Sequence, residues 1–238
     1  MTSCAIMQPT YLPWSGYFHL ASKVDTFVFL DDVQFERSSW QSRNNILCNG
    51  QAHLLAVPVK QAPLQTLIRD ILITPDTTWK KKHLRSLQMA YPNFWHNQTL
   101  RDQFIEVIED PCEALADLNI KLIRLLFGWL NIGCQTIRAS ELGCAGSRSE
   151  HLTHICHAIR ADKYFSPIGS RQYLKEDSFE QIAGVKLEFS EFIPEIHAQS
   201  KTQGFVSHLS VIDVIGHCGL AFAEDYIKKS ANHARNHN

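Results

Sequence analysis

Short apolar runs alternate with amphipathic segments along most of the chain. Runs at Ser3 to Met7 and at Thr26 to Leu30 predict two strands, with a helix between them that begins near Gly16. Because strands buried on both faces are apolar throughout, this alternation indicates a parallel sheet covered by helices. We therefore expect an α/β fold, a Rossmann-like three-layer sandwich with a mostly parallel sheet. Further sheet strands are predicted at Cys134 to Ser140, Lys163 to Ser166 and Val185 to Phe192.

The middle of the chain departs from this alternation. Two predicted strands, Ala52 to Val59 and Leu67 to Thr74, indicate a small β insertion at about residues 45–75. A helical segment then covers about residues 76–131. No repeat or low-complexity linker marks a boundary, so we expect a single α/β domain over residues 1–238.

The start of the longest predicted helix has the strongest local signal. Asp110 is its expected N-cap, Pro111 its first helical residue and Glu113 the second member of a capping box. The predicted helices are Lys80 to Tyr91, Leu100 to Glu109, Pro111 to Leu130, Glu150 to Ala161, Ser178 to Ala183 and one from Leu209 onward. The tail after Lys229 is polar and is predicted to be frayed.

Composition narrows the class of protein. A chain of 238 residues with 45% apolar content and a net charge of -1 has no basic excess, so nucleic acid is not an expected partner. Its seven cysteines are scattered without a CxxC pair, which favours reduced thiols. The longest apolar stretch, Leu122 to Leu130, is too short to span a bilayer, and the N-terminus has no signal-peptide pattern. We expect a cytoplasmic protein without a membrane span.

The segment Ile6 to Phe18, IMQPTYLPWSGYF, is the richest candidate site. It resembles the phosphate-binding turn of nucleotidylyltransferases, in which a strand leads to a helix through an aromatic loop ending in His-x-Gly-His. Both histidines are aromatic here, in Trp14-Ser15-Gly16-Tyr17, which argues against nucleotide transfer chemistry. Core packing of the aromatic side chains is the alternative. The candidate ligand-binding residues of this turn are Gln8, Tyr11, Trp14, Gly16 and Tyr17.

A second candidate cluster follows the second strand. Two carboxylates and two arginines are able to hold a metal ion, to clamp a phosphate or to pair with each other. A weaker candidate near an anionic ligand is His83, which follows a lysine run. The turn containing Gly169 and Ser170 is a candidate second wall of the pocket. The cluster itself consists of Asp31, Asp32, Gln34, Phe35, Arg37, Trp40, Arg43 and Asn44.

Other polar patterns argue against common classes of site. His151, His154 and His157 spread over roughly 240° of a helix, so no metal site is expected there. Asp213 lies among apolar residues and is either paired in the core or directed into the site. The chain has no GxxxxGK, GxGxxG or HExxH motif, and no Ser-His-Asp arrangement is expected.

Taken together, these segments resemble the WbqC-like family of bacterial proteins. The resemblance covers nearly the whole chain and is most specific at MQPTYLPWSGYF, VDTFVFLDDVQFERSSWQSRNNI and FVSHLSVIDVIGHCG. Weaker segments are LLAVPV, Trp79 to Leu87, DLNIKLI and ADKYFSPIGSRQYL. Family members commonly carry His-Pro where this chain has Gln8-Pro9, and a glutamine retains only hydrogen bonding there.

The resemblance implies a transferase of surface-polysaccharide (O-antigen type) synthesis that moves glycine or a similar acyl group onto a sugar or sugar nucleotide. We expect the fold to resemble the nucleotidylyltransferase type, and we take Asp32, Arg43 and His83 from the clusters above as the candidate catalytic residues. A nucleotide with Mg²⁺ is the candidate cofactor and a sugar nucleotide the candidate small-molecule partner. One alternative is a nucleotide-binding relative without the His-x-Gly-His chemistry. Another is a non-catalytic partner of the assembly enzymes. An enzyme predicts that Gly16, Asp32 and Arg43 meet in one cleft.

Overall fold

The computed structural model describes residues 1–229. The tail after Lys229, predicted to be frayed, lies outside the described residues. In chain order the strands are β1 (Ser3–Met7), β2 (Thr26–Phe29), β3 (Arg43–Cys48), β4 (Gln51–Ala56), β5 (Gln135–Arg138), β6 (Lys163–Pro167) and β7 (Lys186–Ser190).

The helices surround these strands. They are α1 (Ser15–Ala21), α2 (Thr78–Ala90), α3 (Pro92–His96), α4 (Gln98–Glu109), α5 (Leu115–Trp129), α6 (Ala139–Leu142), α7 (Arg148–Ala158), α8 (Arg171–Glu176), α9 (Phe179–Ala183), α10 (Val211–Cys218) and α11 (Leu220–Lys229). No helix among residues 1–229 has the length and apolarity needed to cross a membrane.

The central sheet has five parallel strands in the order β5-β2-β1-β6-β7. Ala5 in the middle strand pairs with Phe27 on one side and with Phe165 on the other. From the central β1, the chain adds β2 and β5 toward one edge of the sheet and β6 and β7 toward the other, so the strand order reverses between β1 and β6. This topology confirms the predicted Rossmann-like α/β fold. In such sheets ligands bind outside the carboxyl ends of the strands near the point of reversal.

Alternating residues of the sheet enter two separate apolar cores. Cys4 and Ile6 of β1 pack in the core formed with α7, α8 and α9, whereas Ala5 belongs to the larger core on the opposite face. Val28 of β2 and its neighbour Phe27 divide in the same way. Because both sheet faces are covered, the three layers of the predicted sandwich are present.

The β insertion is a hairpin, but its strands differ from the prediction. β3 pairs with β4 in antiparallel register, and the connection has Asn49 at φ 51° and Gly50 at φ 79°. Two positive φ angles are the signature of the tight turn that suits a twisted hairpin. The strand predicted at Leu67 to Thr74 is wrong, because that stretch contains a 3₁₀-helix, Ile68–Asp70. Polar side chains in Arg43–Cys48 concealed the first strand of the hairpin.

The predicted capping box before α5 is also wrong. Asp110 is the C-cap of α4, and α5 begins only at Leu115. The Glu113 carbonyl accepts a hydrogen bond from the Ile73 amide at 2.8 Å. Residues 111–114 are therefore held beside the insertion and do not form a first helical turn.

A long irregular segment joins the sheet to the last helices. Residues 191–209, which we call the strap, contain neither helix nor strand. The predicted helix from Leu209 onward is two helices, because Gly219 adopts φ 83° between α10 and α11. The strap crosses the hairpin turn so closely that a Cβ on Gly50 would lie 1.9 Å from the Lys201 carbonyl oxygen.

Candidate functional site

The two carboxylates after β2 have different surroundings. Asp31 is fully buried and accepts hydrogen bonds from Arg138 Nε at 2.7 Å and from Ser140, through its amide at 3.0 Å and its hydroxyl at 2.9 Å. The carboxyl end of β2 is thereby clamped to the segment that follows β5. Asp31 fastens two strand ends within the protein.

Asp32 pairs with a histidine of α7. Its Oδ1 lies 3.1 Å from His151 Nε2, and His151 Nδ1 lies 3.3 Å from the Ala145 carbonyl oxygen. The hydrogen bond to Asp32 raises the pKa of His151 above its ordinary value. Since both ring nitrogens face acceptors, the protonated ring satisfies both contacts. From the sequence, His151 is notable only as part of a histidine run whose spacing argues against a metal site.

The three histidines of α7 contact backbone carbonyls, and His151 and His154 share that of Ala145. His154 Nδ1 lies 2.8 Å from the Ala145 carbonyl oxygen and His157 Nε2 lies 2.7 Å from that of Ala183. Within residues 1–229, no group of three or more histidine, cysteine or acidic side chains is arranged to hold a metal ion.

Tyr11 and His83 form a buried pair. The Tyr11 hydroxyl lies 2.9 Å from His83 Nδ1, and the two side chains are 0% and 5% exposed. Burial lowers the pKa of His83 to about 4, although a hydrogen bond to the Ala56 backbone opposes the change. His83 is therefore a neutral interior histidine at pH 7, and it joins the N-terminal turn to α2.

Amide side chains fix the rest of the N-terminal turn. Asn44 is buried and donates to the carbonyl oxygens of Tyr11 at 3.2 Å and Leu12 at 2.7 Å. Gln8 accepts from Gln41 at its side chain at 2.9 Å and from the Tyr17 hydroxyl at its carbonyl at 3.2 Å. These contacts bind the turn to β3 and to the loop that precedes it.

The indole of Trp14 covers the start of α1. A Cβ on Gly16 would lie 2.3 Å from this ring, so only glycine permits the approach. Trp14 also stacks on His208 of the strap, with ring centroids 5.0 Å apart, and meets the edge of Phe192 at 5.5 Å. The Trp14 ring thus occupies the space that a side chain at position 16 would need. The helix that begins here, α1, has only seven residues.

The turn after β6 is closed by serine hydroxyls. Ser166 is fully buried, and its Oγ lies 2.5 Å from that of Ser170, which donates to the Pro167 carbonyl at 2.6 Å. Gly169 has open space at its Cβ position, with no atom within 4 Å. The hydroxyl of Ser170 is thus engaged within its own turn, whereas Gly169 adjoins space.

A cavity of about 610 Å³ opens between the loop before β3 and the segment after β4. We call it the cationic cavity, because Arg37, Arg43 and Lys60 lie on its wall. Arg37 donates to the Ala62 carbonyl at 2.8 Å, and among residues 1–229 neither Arg43 nor Lys60 has a carboxylate at ion-pair distance. Its other polar lining residues are Gln34, Ser38, Ser42, Gln61 and the one wall carboxylate, Glu36.

The predicted residues are divided among several places. Gln34, Arg37 and Arg43 line the cationic cavity together, but Gly16 and Asp32 are absent from its wall. The convergence expected of Gly16, Asp32 and Arg43 is therefore not seen in this cavity. Sequence reasoning did not identify Lys60, an exposed lysine that reaches the cavity only because the hairpin folds back.

These observations define a Rossmann-like α/β protein with an inserted hairpin and a cationic cavity beside it. The chain belongs to the WbqC-like protein family, whose model matches residues 8–224. It is similar to the uncharacterised protein Rv1507c of Mycobacterium tuberculosis, with 28% identity over 230 residues, which cover 96% of this chain and 98% of that protein. The comparison with solved structures gives no match.

Proposed function

We propose that this chain is a transferase that binds a phosphate-bearing small molecule, of the sugar-nucleotide class, in the cationic cavity. The supporting observation is the set of three cations, Arg37, Arg43 and Lys60, around a cavity of about 610 Å³. Arg43 and Lys60 have no ion-pair partner among the described residues. Guanidinium and ammonium groups hold phosphate oxygens through charge-assisted hydrogen bonds.

The size of the cavity suits such a ligand. Pockets for small molecules and cofactors have volumes of about 300–1,000 Å³ and combine an apolar lining with a few polar groups. Phe35, Val59 and Leu64 provide apolar surface beside the cations. We therefore assign the phosphate to the arginines and the lysine, and the remainder of the ligand to the apolar wall.

The transfer step of the proposal rests on the family resemblance. An amine nitrogen on the sugar attacks the carbonyl carbon of an activated acyl donor, such as an acyl phosphate. The new C–N bond replaces the C–O bond to the phosphate, which leaves with the electron pair, and a base removes the proton from the amine. Surface-polysaccharide synthesis is the proposed pathway, and glycine the proposed acyl group.

Calorimetric titration with UDP-glucose, with and without Mg²⁺, tests the binding step. Charge-assisted hydrogen bonds contribute about 1.5–3 kcal/mol each, so we expect Arg43→Ala and Lys60→Ala each to raise Kd by about 10-fold or more. Lys81→Ala removes an exposed lysine of α2 that does not line the cavity, and it should leave Kd unchanged.

Two results would contradict the proposal. One is the absence of binding by UDP-glucose, inorganic pyrophosphate and inorganic phosphate alike. The other is an equal loss of affinity in Lys81→Ala and Arg43→Ala, because that result would indicate a general charge effect. If binding requires Mg²⁺, the candidate cofactor assignment is supported.

A further inference from the structure

A serine, a histidine and a buried aspartate meet where the strap crosses α10. Ser200 Oγ lies 3.1 Å from His217 Nε2. His217 Nδ1 lies 3.3 Å from Asp213 Oδ1 and 3.0 Å from the Asp213 carbonyl oxygen. Because both partners of Nδ1 are acceptors, this nitrogen carries the proton in the neutral ring. Nε2 is then free to accept the proton of the Ser200 hydroxyl.

Asp213 is held as a charged group inside the protein. Its side chain is 1% exposed, and it accepts from Tyr91 at 2.9 Å and from Gln199 at 2.8 Å. His197 Nε2 lies 3.0 Å from its Oδ2. Burial alone raises the pKa of Asp213, but hydrogen bonds from His197, His217 and Gln199 more than offset this, and the pKa lies well below its ordinary value.

The same carboxylate sets the basicity of His217. Burial lowers the pKa of His217, and the hydrogen bond and charge of Asp213 more than compensate, so that the pKa lies above its ordinary value. Tyr91 also faces the ring, at a centroid distance of 5.1 Å, and burial keeps this phenol neutral by raising its pKa. His217 is therefore a base whose charge is governed by Asp213.

Ser200 is accessible and has a fixed backbone. The residue is exposed, and the next residue, Lys201, has φ 59°. The Lys201 carbonyl lies against Gly50 at a distance that excludes any side chain there. A cavity of about 320 Å³ has His217 and Gly219 on its wall, whereas Ser200 is not among its lining residues. An acyl donor therefore reaches the exposed Ser200 from the protein surface.

We propose that Ser200, His217 and Asp213 form a nucleophilic site that accepts a small acyl group from an ester or thioester. Ser200 Oγ attacks the carbonyl carbon while its proton moves to His217 Nε2. A new C–O bond forms, the bond to the alcohol or thiol breaks, and that group leaves with the electron pair and the proton from His217. Asp213 is a positioning residue that holds the ring in the required tautomer. The site stands apart from the cationic cavity, so this inference does not depend on the proposed function.

The expectation that the chain lacks a Ser-His-Asp arrangement is wrong, because Ser200, His217 and Asp213 contact one another in that order. Asp213 and His217 are four residues apart on α10, a spacing that places both on one helix face and that is readable from the sequence. Ser200 lies in the irregular strap, and no sequence pattern brings it to that face. The arrangement is visible only in the folded chain.

Reaction with diisopropyl fluorophosphate tests the proposal on the full chain. Ser200 Oγ displaces fluoride from phosphorus, and the serine proton passes to His217. Mass spectrometry of the digested protein should locate the adduct on Ser200. The adduct should be absent in Ser200→Ala, and His217→Ala should slow labelling about 100-fold, as expected when a general base is removed. The rate should rise with pH through a pKa above about 6.5 and then level off, because His217 must lose its proton to act as a base.

The strap supplies a matched control. Ser207 Oγ lies 2.8 Å from His208 Nδ1, and the pair has no carboxylate partner among the described residues, so Ser207→Ala should label like the parent chain. The proposal is overturned if the folded protein does not label, if Ser200→Ala labels at the parent rate, or if the heat-denatured chain labels at that rate. Ser200 is exposed, so its variant keeps the fold; circular dichroism of every variant tests this expectation.

Discussion

The hairpin contacts two regions whose charged side chains have different surroundings. In one region the charge is buried and hydrogen-bonded, and in the other it lines an open cavity. On one side, Leu47 of β3 donates its amide to Tyr91, whose hydroxyl contacts the buried Asp213. On the other, Arg43 of the same strand lines the cationic cavity without a carboxylate partner among the described residues. The first region, which we call the Asp213 network, has a partner for each oxygen of its central carboxylate.

The difference separates charges that maintain the fold from charges available to a ligand. A buried ion is expensive to transfer from water, so it persists only where hydrogen bonds replace its hydration. Cations at the wall of an open cavity remain hydrated and contribute little to folding. A substitution in the Asp213 network should therefore change stability, whereas one in the cationic cavity should change binding alone.

The substitution Asp213→Asn should cause the largest loss of unfolding free energy. Loss of the charge leaves His197 and His217 without their shared partner, and breaking such a buried pair costs about 3–5 kcal/mol. Urea denaturation measures the change in unfolding free energy. Asp102→Asn is the control, since Asp102 is 54% exposed and pairs with Arg101 at 2.9 Å; it should lose less than about 1 kcal/mol. Equal losses in the two variants would remove the distinction between the regions.

Protonation of His83 should lower the stability of the fold by a smaller amount. Its pKa is about 4 in the folded protein and about 6.5 in the unfolded chain, so between these values the unfolded chain binds more protons. Stability therefore falls as the pH is lowered from 6.5 to 4, by roughly 3 kcal/mol in all. Urea denaturation across this range should show a flatter profile for His83→Gln. The exposed His96 provides a control, and an unchanged profile in His83→Gln would contradict the assignment.

The smallest effect on stability is expected in the cationic cavity. Arg43→Ala and Lys60→Ala should each change the unfolding free energy by less than about 0.5 kcal/mol, because these side chains have no buried ionic partner among the described residues. Urea denaturation of both variants checks this expectation. A loss of 2 kcal/mol or more, on the order seen for buried groups, would mean that the cavity cations hold the fold together.

Apolar patterns predict the sheet because its strands are buried on both faces. The first two strands appear as apolar runs for this reason, and their alternate residues enter both cores. The apolar pattern does not predict β3, because this strand begins with the polar residues Arg43, Asn44 and Asn45. Their hydrogen-bond partners include residues that are distant in the sequence. Asn44, for example, contacts the carbonyl oxygens of Tyr11 and Leu12. Such partners are set by tertiary structure and leave no periodic signal.

Like the fold, the candidate site was predicted from the sequence only in part. Arginines that follow a strand end suggest anion binding, and Arg37 and Arg43 do share a cavity wall. Lys60 joins them through the return of the hairpin, a contact that spacing along the chain does not encode. The aromatic turn has the composition of a binding loop, yet Trp14, Tyr11 and Tyr17 contact Phe192, His83 and Phe27, which lie in other parts of the protein. Composition alone does not separate a loop that binds a ligand from one that packs.

The position of β1 in the middle of the sheet has a consequence for the order of folding. One edge of β1 pairs with β2, a near neighbour in the chain, whereas the other edge pairs with β6, which begins at Lys163. During synthesis the second edge stays unpaired until most of the chain has left the ribosome. Unpaired strand edges recruit other strands, so the nascent chain carries an edge open to wrong pairing until β6 arrives.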